Sequence, residues 1–596
     1  MTSRFWPSAP IRSGGFIAPD ARLFRLENRW NPLRKTGSMQ VFRKSITLFL
    51  LLTPVFLVGA TVLKYAIDLP YWDDYLVQTH LISLKSDTGT LRKLSRLFDQ
   101  HWEHRIVWTR SIFFLYYKLT GQLNYYNLTL VGFSGLVVLL GVLYAVFRKN
   151  RLPLYYFLPV PFLLFTLQSH ENLIWAMASI QNFYILVFAL SAFYLLAYPS
   201  RRAFGAALCV ATLASFTSGN GFLLFLIGAM LLFGQRHFRR GALWLVVGLA
   251  CVVIYFYSYN RITFFPSPYL YGFGQWIKAF FVFVGGFVDT YPYPKPVAIG
   301  YDNPIWLTIL VGVLFIGFAG WQLIRLLQTY FLTNRRSIPA MPWFWPAFFG
   351  GSLLFLLATD AMTVYARVGF GGAGYMLQSR YKIYSGLFIS LCYLYALWMY
   401  QKQDWLRFVW AVALVVTVPI SLYADYQCLE GIINQRRKTV ASYLTWRLQT
   451  PVLEQRAFES VYHPHPFSDS YLTAVQTAPR DTTAVFDRIN EAHFFLNVFK
   501  KDAANPTLER PENGSYIVLL GADSSYVYPA RPLRPYSVQE SDLKSSKTGY
   551  FSPAFLAQVP KEATRPGTYR MALLTNHNDS LRLEMSPVLF RHTTTY

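Results

Sequence analysis

Charge is scarce in this chain. Of 596 residues only 14% are Asp, Glu, Lys or Arg, where a soluble protein carries about a quarter, and that deficit excludes an ordinary water-facing surface. Cysteine is scarce too. Cys209, Cys251 and Cys392 lie in hydrophobic runs, Cys428 follows one, and none has metal-type spacing, so no disulfide framework is indicated. No repeated halves and no low-complexity tracts stand out. A cleavable signal peptide is not expected, because the tail before the first hydrophobic run is too long and no small-residue cleavage site follows Leu63.

What the chain has is apolar and aromatic: 54% hydrophobic residues and 18% Phe, Tyr and Trp. Runs of about 20 apolar residues recur over the first 425 positions, the pattern of a multi-span α-helical membrane protein. The net charge of +25 lies largely in the N-terminal tail and in short turns between the runs. It therefore reads as positive-inside topology and anionic-lipid contact, with no nucleic-acid partner. Three parts are expected: a cytoplasmic basic tail over 1–44, a transmembrane domain over 45–425 with a first outer loop at 64–127, and an extracytoplasmic domain over 426–596.

The expected crossings are Ile46–Leu63, Leu128–Phe147, Leu154–Leu167, Ile180–Tyr198, Ala203–Phe216, Phe222–Phe233, Ala242–Tyr259, Ile305–Ile324, Trp343–Thr359, Ile383–Tyr400 and Phe408–Tyr423. The segment Trp276–Val288 is too short for a full span and reads as re-entrant or interfacial. That gives about 11 transmembrane helices. The charges settle only the first half. Arg335 and Arg336 fall inside on this count, but Arg367, Arg380, Lys382 and Arg436-Arg437-Lys438 fall outside. The C-terminal domain should begin with an amphipathic helix over 429–449 and continue β-rich, with Asn576-His577-Asn578-Asp579 turning a hairpin.

Candidate chemistry gathers in the first outer loop. Tyr71-Trp72-Asp73-Asp74-Tyr75 places two carboxylates just past the first run, where they are costly to keep near hydrocarbon. Read blandly, they only stop the helix from sinking. Further on, Leu91, Leu94, Leu97 and Phe98 with Arg92, Lys93 and Arg96 make an amphipathic helix suited to a membrane surface. It runs into Gln100-His101-Trp102-Glu103-His104-Arg105, and on a helix His101, His104, Arg105 and Trp108 would share one face. His-x-x-His alone does not specify a metal, and a divalent ion stays open. Cationic and hydrogen-bonding groups for a phosphate-bearing ligand fit the Arg excess better. Glu171, Asn172 and Asn220 belong to the same expected face. So do Arg380 and Tyr381, where Arg380 opens a helix whose terminal N–H groups would add to its charge.

These features resemble the GT-C superfamily of membrane glycosyltransferases, which use polyprenyl-phosphate-linked sugars. The shared features are the acidic pair after the first span, a long first outer loop with surface helices, about 11 spans and a C-terminal extracytoplasmic domain. Trp72-Asp73-Asp74-Tyr75 with Glu103-His104-Arg105 and Ser379-Arg380-Tyr381 looks like an uncharacterised bacterial branch. The His-Pro-Pro motif of the protein-mannosyltransferase-like branch is missing.

The resemblance implies an inverting transferase in the bacterial cytoplasmic membrane. A carboxylate, Asp73 by motif position or else Asp74, would take the proton of an acceptor hydroxyl on a glycan, lipid or protein. Arg380, with His104 and Arg105, would stabilise the leaving polyprenyl phosphate. Two adjacent Asp residues cannot easily form the opposed pair of a glycosidase. The alternative is a transporter or flippase for a lipid-linked saccharide, which would keep ionisable residues near the bilayer midplane.

Overall fold

The computed structural model describes residues 37–262, 265–295, 305–328, 344–463, 467–477, 485–492, 495–501, 503–534, 550–578 and 580–593. Most of the basic tail, the Arg335-Arg336 turn and Asp579 lie outside them. Among the described residues eight helices are long and apolar enough to cross a membrane, and Gly219–Gly234 and Phe273–Val288 are shorter apolar helices.

The first helix, α1 (Gly37–Tyr65), leads into three helices of the first loop: α2 (Asp73–Ser86), α3 (Thr90–Leu97) and α4 (Val107–Thr120). Then come α5 (Tyr125–Arg148), α6 (Pro159–Leu164), α7 (His170–Ile174) and α8 (Ala176–Leu196). α5 and α8 run the same way. α5 starts where Asn124 and the Tyr125 N–H bond Asp68, and α8 starts where the Met177 N–H bonds Asp74. At their far ends Lys149 lies over the rings of Tyr194 and Tyr198. The chain between them must therefore travel back, and it does so in pieces. The expected span Leu154–Leu167 is a 3-10 turn at Leu154–Phe157, the six residues of α6, and another 3-10 turn at Leu167–Ser169. Pro153, Pro159 and Pro161 withhold backbone donors there, so no continuous ladder can form.

Three helices follow as a packed set: α9 (Arg201–Ser215), α10 (Leu223–Gly234) and α11 (Phe238–Phe256). Phe204 meets Trp244 at one end, and Phe216 and Phe222 meet Tyr255 at the other. α12 (Phe273–Gly285) stays beside the 365–385 stretch along its length. Trp276 packs on Tyr365, Gln275 bonds the Ala373 N–H, and Phe283 packs on Tyr381. It touches α13 (Trp306–Leu327) backbone to backbone: a Cβ on Gly285 would stand 1.8 Å from the Thr308 carbonyl oxygen, and one on Gly312 would stand 2.0 Å from that of Phe281. α14 (Gly351–Arg367) and α15 (Ser379–Met399) complete the apolar core.

The segments Phe408–Tyr423 and 429–449, expected as separate elements, are one 44-residue helix, α16 (Leu406–Gln449). At about 1.5 Å per residue it is about 66 Å long, twice the hydrocarbon thickness. Nothing in Asp425–Leu429 breaks it, because none of those residues is Gly or Pro. After α17 (Val452–Glu459) and α18 (Phe467–Gln476) the chain turns to strands: β1 (Arg488–Glu491), β2 (Phe495–Lys501), β3 (Gly514–Leu520), β4 (Ser525–Pro529), β5 (Arg531–Pro532), β6 (Ala554–Pro560), β7 (Gly567–His577) and β8 (Ser580–His592).

The strands make two four-stranded sheets, ordered β1-β2-β6-β5 and β4-β3-β7-β8. Ile517, Leu519, Met571 and Leu573 face the first sheet's Val498, Phe555 and Ala557. The alternate residues Tyr516, Val518, Ala572 and Leu574 face Val440, Tyr443 and Leu444 of α16. The second sheet is thus buried on both faces, which is why β3 reads as an apolar run and not as alternation. β7 and β8 are joined at the expected hairpin, with Asn578 left-handed at φ +53°.

Candidate functional site

The acidic pair separates into two different carboxylates. Asp74 is 1% exposed, and its oxygens accept the N–H groups of Tyr71 and Met177, each at 3.0 Å. It ties the start of α2 to the start of α8. Burial, opposed by those two hydrogen bonds, pushes its pKa up to about 8, so the group is mostly neutral at pH 7. Asp73 is only half-buried and faces the loop, where the indole N–H of Trp102 donates to its Oδ1 at 2.9 Å. Burial raises its pKa from the ordinary carboxylate value, while Trp102, Arg380 and Arg367 oppose the rise.

The expected helix over 101–108 is instead a tight turn. His101 and His104 exchange backbone hydrogen bonds at 2.7 and 2.8 Å, Trp102 sits at φ +50°, and α4 begins only at Val107. His101, His104, Arg105 and Trp108 therefore share no helix face. The His101 Nε2 stands 3.9 Å from Asp73 Oδ1, and the His104 Nε2 stands 3.5 Å from Glu103 Oε1. Burial holds the two imidazoles down at about 3 and about 4, so both are neutral at pH 7 and supply no cation there. Arg105 is committed elsewhere: its guanidinium donates to the backbone carbonyls of Phe98, Tyr255 and Tyr257. It fastens the loop to the end of α11, with each of its three nitrogens engaged by a backbone carbonyl.

Glu103 pairs with Arg367, at the end of α14. Sequence reasoning treated Arg367 only as a topology charge, and no local motif marks it. The distant residues do converge. The Glu171 N–H bonds Ser379 Oγ at 3.1 Å, and Asn172 donates to the Arg380 carbonyl at 2.9 Å, locking α7 to the first turn of α15. Arg380 lies beside Tyr381, 5.5 Å from its ring centroid, and Tyr71 lies within electrostatic reach of Glu171, Arg380 and Asp73. Asn220 donates to Thr359 at 3.1 Å. The turn carrying it lies on the histidine turn, since a Cβ on Gly219 would stand 3.1 Å from His104 Nδ1.

The site is thus Asp73 with Arg380, Arg367, Glu171, Tyr71 and the 101–104 turn around it. No group of three or more His, Cys, Asp or Glu residues suited to a metal occurs among the described residues. No protein family, curated protein or solved structure matches the chain, so the reading rests on this geometry.

Proposed function

We propose that the chain is an inverting glycosyltransferase that moves a sugar from a polyprenyl-phosphate carrier to a hydroxyl acceptor at the outer face of the cytoplasmic membrane. The observation that carries it is a half-buried carboxylate, Asp73, lying within electrostatic reach of the guanidinium groups of Arg380 and Arg367. A base and a cation must flank the anomeric carbon in such a transfer, the base on the incoming oxygen and the cation on the departing phosphate. Asp73 is the base in this reading, Asp74 the clamp that aims it, and Arg380 the main phosphate contact.

Element directions support the membrane placement in this reading. α1, α5, the broken 153–174 segment, α8, α9, α10, α11, α13, α14, α15 and α16 alternate between the Asp73 end and the Lys149 end, which favours 11 crossings with α12 interfacial. The Lys149 end carries Arg148, Arg201, Arg202, Arg236, Arg239, Arg240, Lys402 and Arg407, which favours a cytoplasmic position for it. The β sheets then lie outside with Asp73.

The test is release of polyprenyl phosphate by the purified chain in proteoliposomes. Asp73→Asn should lower it by at least about 100-fold, the scale of a lost general base; undiminished turnover sinks the reading.

A transporter remains the second reading on one observation. Asp360, expected at a helix end, lies within α14, fully buried, with neither carboxylate oxygen hydrogen-bonded among the described residues. Intramembrane acids of that kind mark ion pathways. Loss of lipid-linked saccharide translocation in Asp360→Asn, with Asp73→Asn unaffected, would favour it.

A further inference from the structure

Beside Asp73 stands an aromatic surface that the proposed chemistry does not use. Trp72 is 59% exposed. Its ring stacks on Tyr71 with centroids 5.5 Å apart and planes 12° apart, and Trp175 meets both edge-on at 5.2 and 6.1 Å. One indole face is therefore backed and the rest looks outward. The backbone holds it there at a cost: Trp72 has φ +44°, a left-handed conformation costing a non-glycine residue about 1–3 kcal/mol. Trp102 is left-handed as well, with its indole N–H on Asp73. Two strained tryptophans thus bracket one carboxylate.

Around this surface lie polar atoms with no hydrogen-bond partner among the described residues: Glu171 Oε2, His101 Nε2 and Arg380 Nε, all buried. Buried polar atoms of this kind call for a partner. A lipid tail would cover the indole but leave those three atoms dry and unpaired. An aromatic belt tryptophan needs no strained backbone, since its place is set by the membrane interface alone. A pyranose matches both halves of the surface. Its axial C–H face packs on an aromatic ring, and its rim of hydroxyls both donates and accepts.

We infer that the acceptor is a glycan whose terminal pyranose stacks on Trp72, presenting its hydroxyl to Asp73 while Glu171, His101 and Arg380 bind its other hydroxyls. This rests on the transferase reading and names its acceptor class.

The test uses the full chain in lipid nanodiscs, applied to an immobilised panel of pyranose oligosaccharides: α- and β-glucans, mannans, galactans and N-acetylhexosamine chains. Wild type and Asp73→Asn should bind a shared subset. Trp72→Ala should weaken that binding about tenfold, the scale of one lost aromatic contact, while Trp72→Phe should keep most of it. Thermal melting of both Trp72 variants controls for folding, and the Phe variant keeps the test valid if the Ala variant misfolds. No binding to any sugar, or equal binding by Trp72→Ala, overturns the inference. In that case, polyprenyl-phosphate release with a non-sugar alcohol, abolished in Asp73→Asn, would still leave the transferase reading standing. Sugar binding that needs Trp72, together with full turnover by Asp73→Asn, would sink the transferase reading and with it the acceptor role, leaving a sugar-binding surface.

Discussion

The indole N–H of Trp102 donates to Asp73 Oδ1 at 2.9 Å, so a tryptophan in a left-handed turn counters part of the rise that burial imposes on that carboxylate's pKa. That hydrogen bond favours the ionised form, whereas burial opposes it. Trp102→Phe removes the favourable contact and should move Asp73 further up. The acidic limb of the pH–rate profile should then shift to higher pH, with the alkaline side unchanged. An unshifted limb would remove Asp73 as the titrating base.

Asp74 and Asp73 should separate under the same substitution. With its pKa pushed up to about 8, Asp74 is mostly protonated at pH 7, so Asp74→Asn removes little charge and should keep turnover within several-fold. Its effect belongs to stability. The folded-state value lies above the ordinary one near 3.8, so the folded chain binds the proton more tightly than the unfolded chain. The stabilisation is full below about pH 4 and is lost as pH rises through about 8. Melting curves of Asp74→Asn between pH 4 and 8 should show a flatter dependence than wild type.

Arg105→Ala should act through folding. Three carbonyls, of Phe98, Tyr255 and Tyr257, lose their donor, and the buried one, of Tyr255, left unpaired costs about 1–3 kcal/mol. A clear drop in melting temperature is expected. Normal stability with a raised KM for the polyprenyl-phosphate donor would mean that Arg105 grips substrate instead.

Sidedness is testable with one engineered thiol. Thr568 is exposed at the start of β7, and Cys209 is the exposed native cysteine. Thr568→Cys in a Cys209→Ser background should react with a membrane-impermeant maleimide in intact cells. Labelling only after lysis would put the sheets, and Asp73 with them, in the cytoplasm.

The sequence carried the membrane class, the acidic pair and the convergence of Glu171 and Asn172 with Arg380, because hydropathy runs and polar residues at run ends are local signals. What defeated it was partnership across the chain. Arg367, Lys382 and Arg436, which blurred the topology as outward charges, are ion-paired to Glu103, Asp289 and Glu512. They answer to internal acids and not to the membrane potential or its lipids. The reciprocal bonds of the 101–104 turn were equally hidden, since the residue types there suit a helix and only the left-handed Trp102 forbids it. α16 was divided because the hydropathy drop at Asp425 marks a change in the helix's surroundings, not its end. Asp425 accepts Thr166 Oγ1 and the Leu167 N–H, which removes the need for a break.

That uninterrupted helix has a mechanical consequence. A linker would let the sheets swing freely over the bilayer, but a helix packed beneath β3 and β7 behaves as a mast stepped deep in the hull. Its internal proline, Pro419, precedes Asp425 in the apolar part of the helix. Beyond it, Asp425 ties the helix to Thr166 and Leu167 of the helical core, while Val440, Tyr443 and Leu444 hold the sheet, so one rod moors the sheet to the core at two levels.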